Sequence, residues 1–155
     1  MWLKKIVSGG QTGVDRAGLD AAIQHRINHG GWCPRDRRAE DGIIDSKYHL
    51  IETDSRDYKI RTECNVRDSD GTLILNIGTL EGGTAFTAAV AATMGKPCLI
   101  IDLSTTVETG KIKSWLTGNQ IHILNIAGPR ESKCPGIYAR ALDELNHILL
   151  SIINP

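Results

Sequence analysis

Residues Ser8-Gly9-Gly10-Gln11-Thr12-Gly13-Val14-Asp15 follow a short apolar run, Ile6-Val7, and lead straight into a helical pattern. A strand that turns on glycines into a helix constrains the fold more than any other feature of this chain. Glycine permits a sharp turn and a close approach to a ligand, and a helix start offers unpaired N–H groups with a partial positive charge. Such a turn suits a phosphate or another oxyanion. The logic is repeated where Leu73-Ile74-Leu75 runs through Asn76-Ile77-Gly78-Thr79-Leu80-Glu81-Gly82-Gly83-Thr84 into an alanine-rich stretch.

Strand and helix patterns alternate along the rest of the chain. The first strand is expected over residues 4–7 and its helix over residues 14–27. Val14, Ala17, Gly18 and Ala21 fall on one helix face, and Leu19, Ile23 and Ile27 on the other. Thr12 followed by Asp15 reads as a capping box. Residues 32–52 form an irregular stretch longer than an ordinary connection, which marks it as functional or ordered by a neighbour. A helix is predicted over residues 58–67, with Ile60, Cys64 and Val66 facing inward, then a strand over residues 72–77 and a helix over residues 84–94. The run Pro97-Cys98-Leu99-Ile100-Ile101 suits a central parallel strand buried on both faces, with Cys98 a core thiol. A helix ending near residue 116, a strand over residues 121–126 and a final helix marked by Tyr138, Ala141, Leu142, Leu145, Ile148, Leu149 and Ile152 complete the pattern. Strands separated by helices imply right-handed crossovers. The expected fold is α/β: one three-layer Rossmann-like domain over residues 1–155, with a mainly parallel sheet of about five or more strands flanked by helices. Ligands in such folds bind at the strands' carboxyl ends, where both glycine turns sit.

Charge narrows the partners. Lys+Arg and Asp+Glu are equal at 18 each, so no global field draws nucleic acid or anionic lipid. Any anion has to be held by local dipoles and a few placed side chains. The glycine turn begins too soon after the N-terminus for a signal peptide, and no run has the length of a membrane helix, so a cytoplasmic location is expected. The cysteines, Cys33, Cys64, Cys98 and Cys134, form no CxxC pair, and the five histidines form no ligand set, so no metal site is expected.

The first turn is neither GxGxxG nor a Walker loop. Ser8, Gly9, Gly10, Gln11, Thr12, Gly13, Asp15 and Arg16 are the candidate ligand contacts there, with Gly10 the closest backbone approach. Glycines serving tight packing alone remain the plainer alternative. Gly82, Gly83, Thr84 and Thr87 are the candidates at the second turn, where a threonine either caps the helix or gives its hydroxyl to a phosphate. Two such turns would frame one cleft for a phosphorylated small molecule. Arg35 and Arg38 are candidate clamps over it, since a guanidinium matches phosphate geometry, although the interleaved Asp36, Glu40 and Asp41 also fit a solvated loop. No Ser-His-Asp or HExxH arrangement is visible, so no catalytic residue is assigned.

The whole run from Ser8 to Asp20 resembles the signature of the molybdenum-cofactor carrier proteins. So do Gly31-Trp32-Cys33-Pro34, Arg38-Ala39-Glu40-Asp41-Gly42, Glu52-Thr53, Arg61-Thr62, Asn65-Val66, Asp68-Ser69-Asp70-Gly71-Thr72 and Gly82-Gly83-Thr84. That family is similar to the wider SLOG group of Rossmann-like nucleotide sensors related to the lysine decarboxylase-like fold. The resemblance implies binding of the molybdenum cofactor, a phosphate-bearing pterin, by a homo-oligomer that protects it and hands it over. The wider group includes phosphoribohydrolases with a GGxGTxxE motif whose glutamate serves catalysis. Thr87 stands at that glutamate's position here, and a threonine is no carboxylate base. The balance is therefore against an enzyme, with a nucleotide-derivative hydrolase or a nucleotide-signal sensor as the alternatives.

Overall fold

The computed structural model describes residues 2–154. Its elements run β1 (Lys5–Val7), α1 (Val14–Gln24) and β2 (Asn28–Gly30). Four two-residue strands follow: β3 (Trp32–Cys33), β4 (Arg38–Ala39), β5 (Gly42–Ile43) and β6 (Ile51–Glu52). The second half is α2 (Tyr58–Arg67), β7 (Gly71–Asn76), α3 (Gly82–Thr93), β8 (Cys98–Asp102), α4 (Thr109–Gly118), β9 (Ile123–Ala127) and α5 (Ile137–Ile153).

The main sheet has the order β2-β1-β9-β7-β8, and all four pairings are parallel. The fold is thus α/β and Rossmann-like, with a five-stranded parallel sheet between helices. The order carries more information than the class does. If β9 and α5 preceded β1 in the chain, the strands would read 3-2-1-4-5, the doubly wound order. The last strand of this chain therefore sits at the centre of the sheet. The switch point, where the winding reverses, falls between β9 and β7.

The two faces of the sheet differ. Leu73, Leu75, Leu124 and Ile126 pack with residues of α1, α4 and α5 into the large core, in which Ala141, Leu145 and Ile148 line the inner stripe of α5. Gly18 of α1 meets Ile126, where an added Cβ would come within 2.9 Å, so helix and sheet touch closely. On the other face lie Thr72, Asn76 and Asn125, all buried, and the apolar cluster is small: Val66, Val90 and Ala91, with Phe86 and Cys98 against it. That polar inner surface leaves room for a cleft. A third cluster joins Leu19 of α1 to Cys33, Ala39, Ile44 and Tyr48, so the outer face of α1 carries the segment between β2 and α2 as a second layer.

Several expectations are corrected. Strand β8 lies at the edge of the sheet, and its Ile100 is 46% exposed with Cys98 only half-buried. An apolar run does not distinguish a central strand from an edge that a neighbour could cover. Helix α1 ends at Gln24, and the polar Asn28–Gly30 that follows is a parallel strand; its backbone pairing to β1 owes nothing to side-chain pattern. In α2 the buried residues are Thr62, Asn65 and Val66, with Ile60 outside, because this helix faces the polar side of the sheet. The expected capping box does not form. Gly13 is the N-cap of α1, and Thr12 turns to Glu40 instead.

Candidate functional site

A cleft of about 580 Å³ opens at the carboxyl ends of β7 and β9, the switch point of the sheet. Its floor is polar: Asn76 and Asn125 come from the strands, and Thr62, Asn65 and Thr87 from the helices on that face. The Asn125 amide donates to Thr72 Oγ1 at 3.2 Å and that of Asn76 to the Gly78 carbonyl at 2.9 Å. Tyr58 and Phe86 supply aromatic surface, and Cys134 lies in the wall.

The second glycine turn forms one end. Helix α3 starts with Glu81 as N-cap but without a side-chain cap. The Thr84 and Ala85 amides bond back to the Glu81 carbonyl at 3.1 and 3.2 Å. The N–H groups of Gly82 and Gly83 and the Thr84 hydroxyl have no partner among the described residues. These are the orphan donors of a helix start, left open to the cleft. A Cβ on Gly82 would lie 2.7 Å from Lys133 Nζ, so a lysine ammonium stands beside the turn. Thr87 points its hydroxyl back along the helix, donating to the Gly83 carbonyl at 2.9 Å.

The first glycine turn is arranged differently. Gly9, Gln11 and Asp15 line the cleft; Ser8, Gly10, Thr12, Gly13 and Arg16 do not. Four of its amides are engaged within the protein: Gly10 N–H to Ser8 Oγ at 3.4 Å, Gln11 N–H to Asp15 Oδ2 at 3.3 Å, Thr12 N–H to Gln11 Oε1 at 3.0 Å and Val14 N–H to the Pro129 carbonyl at 3.2 Å. The Asp15 carboxylate takes the place an external anion would have. Burial pushes its pKa above the usual carboxylate range, opposed by Arg61, the Gln11 amide, Arg16 and the Gly9 amide. Gly10, at φ +77°, faces Ile44 and Leu50 of the second layer. Gly13, at φ +79°, lets the turn close on the loop after β9: a Cβ there would lie 2.3 Å from the Pro129 carbonyl oxygen. Arg16 holds Asp41 with bonds of 2.6 and 3.1 Å and the Gly10 carbonyl with bonds of 3.0 and 3.3 Å. The Ser8–Asp15 motif thus anchors two loops around the cleft.

Of the arginines expected as clamps, Arg35 is exposed, and Arg38 stacks on Tyr58 at 4.5 Å while donating to the Arg56 carbonyl; neither lines the cleft. The cations that do are Lys59, Arg61, Arg130 and Lys133. Arg61 is placed by α2, which is tied to β3 by Asn65: this side chain accepts the Trp32 N–H at 2.7 Å and donates to the Trp32 carbonyl at 2.9 Å. Gly9 makes space for Arg61, since a Cβ there would sit 2.4 Å from Arg61 Nε. No group of three or more His, Cys, Asp or Glu among the described residues could hold a metal ion.

The model of the family described as "Circularly permutated YpsA SLOG family" matches residues 6–149. The chain belongs to that family. Its strand order, doubly wound once β9 and α5 are read first, is the permutation in physical form. A crystal structure from Syntrophus aciditrophicus SB, named "Putative molybdenum carrier protein", shares 49% sequence identity, covers 96% of this chain and 95% of its own, and superposes with a TM-score of 0.92. None of the curated proteins matches. No helix among the described residues is long and apolar enough to cross a membrane.

Proposed function

We propose that this SLOG protein binds a phosphorylated small molecule in the switch-point cleft, with the phosphate at the start of α3, and that it serves as a cytoplasmic carrier of the molybdenum cofactor. One observation carries the reading: the Gly82 and Gly83 amides and the Thr84 hydroxyl have no partner among the described residues and open on a cleft where Lys133 adds a positive charge. The polar floor, with Asn76 and Asn125, suits a hydrogen-bonding heterocycle such as a pterin. The Syntrophus relative is named as a molybdenum carrier, which supports a cargo that contains molybdenum. An enzymatic reading has less support, because Thr87 spends its hydroxyl on its own helix and the acid that lines the cleft there, Glu81, precedes the turn as the N-cap of α3. Self-association belongs to the same reading. Ile100 on the edge strand and Met94 at the end of α3 expose apolar side chains that a second copy would cover.

Thermal unfolding with and without purified molybdenum cofactor tests this. A bound cargo at about a hundred times its Kd adds about 2.7 kcal/mol. Stabilisation by the cofactor, lost in Lys133→Ala and Thr84→Ala, is expected. Stabilisation by AMP but not by the cofactor would replace the carrier with a nucleotide sensor, and release of free base from a nucleoside monophosphate would establish a hydrolase.

A further inference from the structure

We propose that Arg61 and Arg130 form a second oxyanion subsite in the cleft, so that the ligand carries two negatively charged groups. This rests on the cleft being a ligand site, but on donors other than those at the start of α3. The warrant is an accounting of guanidinium hydrogen bonds. Arg37 spends its donors on the carbonyls of Ile44, Asp45 and Tyr48 at 2.8–3.0 Å, and Arg16 on Asp41 and the Gly10 carbonyl. Those two arginines are structural. Arg61, though largely buried, makes one side-chain hydrogen bond among the described residues, to the Thr62 hydroxyl. Its Nε is buried with no acceptor among the described residues, and its nearest carboxylate oxygen, on Asp15, is 3.7 Å away. Arg130 makes no side-chain hydrogen bond to the described residues. Its nearest carboxylate, Glu40 at 3.9 Å, is already taken by Thr12 and Ser132.

Charge adds to this. The Arg61, Arg130 and Arg38 guanidinium carbons lie 5.4, 5.7 and 4.5 Å from the centre of the same Tyr58 ring. One aromatic ring offers each cation only a modest attraction, and the Asp15 and Glu40 carboxylates, at 3.7 Å from Arg61 and 3.9 Å from Arg130, balance charge without accepting a hydrogen bond from either guanidinium. An oxyanion between Arg61 and Arg130 would give the idle donors an acceptor. On a pterin cofactor the two groups are the phosphate and the anionic oxo–metal end; on a nucleotide they are two phosphates.

Crystals of the full chain soaked in molybdate, read by anomalous scattering, test the proposal, with calorimetric titrations of molybdate and inorganic phosphate in solution. The expected result is density at two places, the start of α3 and between Arg61 and Arg130. Arg61→Gln is expected to lose the second and to weaken molybdate binding by about tenfold or more. Tighter binding of molybdate than phosphate at that place favours the oxo–metal group; the reverse favours a second phosphate. Density only at α3 overturns this inference and leaves the proposed function standing, and density only beside Arg61 does the opposite. Density beside Arg61 that persists in Arg61→Gln is an adventitious ion only and also overturns it. Because Arg61 is largely buried, Arg61→Lys, which keeps a charge without the planar fork, serves as the second variant: full retention of affinity there would count against a guanidinium subsite.

Discussion

Glu40 accepts the Ser132 N–H at 3.2 Å and the Ser132 hydroxyl at 2.5 Å, joining the segment after β3 to the loop after β9. The same carboxylate accepts from Thr12 of the first glycine turn. Three stretches far apart in sequence therefore meet on one side chain. The loop so held carries Arg130 and Lys133 into the cleft.

Glu40→Ala is expected to cost about 1–2 kcal/mol in stability, because three hydrogen bonds are lost at a surface joint. It is also expected to weaken ligand binding by releasing Arg130 and Lys133 from their set positions. Chemical denaturation and calorimetry on the variant measure both. A variant that is less stable but binds unchanged would show that the loop is positioned without Glu40.

Acid should loosen the same joint. Hydrogen bonds from Ser132 and Thr12 outweigh the burial that would raise the Glu40 pKa, and hold it below the usual value. The Arg16 hydrogen bond does the same for Asp41, and that from Arg67, helped by Trp32, brings Asp68 down to about 2. Each folded pKa is depressed, so the stabilisation is complete above the unfolded carboxylate range of about 4 and is lost as pH falls through the folded values. Denaturant midpoints measured from pH 6 to pH 2 are expected to fall mainly below pH 4. Glu40→Gln should flatten that limb, and an unchanged slope would remove Glu40 from the account.

The fold was legible where one element supplies its own signal. The helix predicted over residues 58–67 matches α2, and the apolar period of the last helix matches α5. Strand order was not legible, since β9 reaches the centre of the sheet through pairings with β1 and β7, more than fifty residues away in sequence. The site was half-legible. The second turn stood out by its glycines, but Arg61, Arg130 and Lys133 carry no local pattern and become a set only when α2 and the loop after β9 close on the same cleft. The signal for this face lies in Asn76 and Asn125, amides within largely apolar strands, which mark where the sheet turns polar.

Glycines that serve the fold should separate from those that serve the ligand. Gly31 has φ +122°, and a Cβ there would come within 2.4 Å of the Ser8 carbonyl oxygen and 2.9 Å of Asn65 Oδ1. Gly31→Ala is expected to cost about 2–3 kcal/mol. Gly83 has open space around its Cβ position and no positive φ, so Gly83→Ala should leave stability within about 0.5 kcal/mol. Its effect belongs in the binding assay. Equal loss of melting temperature in the two variants would contradict this division.

The buried Asp15 carboxylate gives the opposite pH signature to Glu40. Desolvation raises its folded pKa despite Arg61 and the amides of Gln11 and Gly9, so the ionised form is disfavoured in the native state. As pH falls through that raised value, the folded protein takes up a proton before the unfolded chain does, and the contribution of Asp15 to stability rises. Asp15→Asn keeps an oxygen to accept the Gln11 N–H and removes the charge. It is expected to raise the melting temperature at pH 7, with the gain shrinking as pH approaches about 4, the unfolded value. The substitution also frees Arg61 from the carboxylate 3.7 Å away, so molybdate or phosphate affinity should increase. Melting curves at the two pH values and an anion titration decide the matter. If Asp15→Asn is destabilised at both, the attraction of Arg61 outweighs burial and the carboxylate is a structural counter-ion.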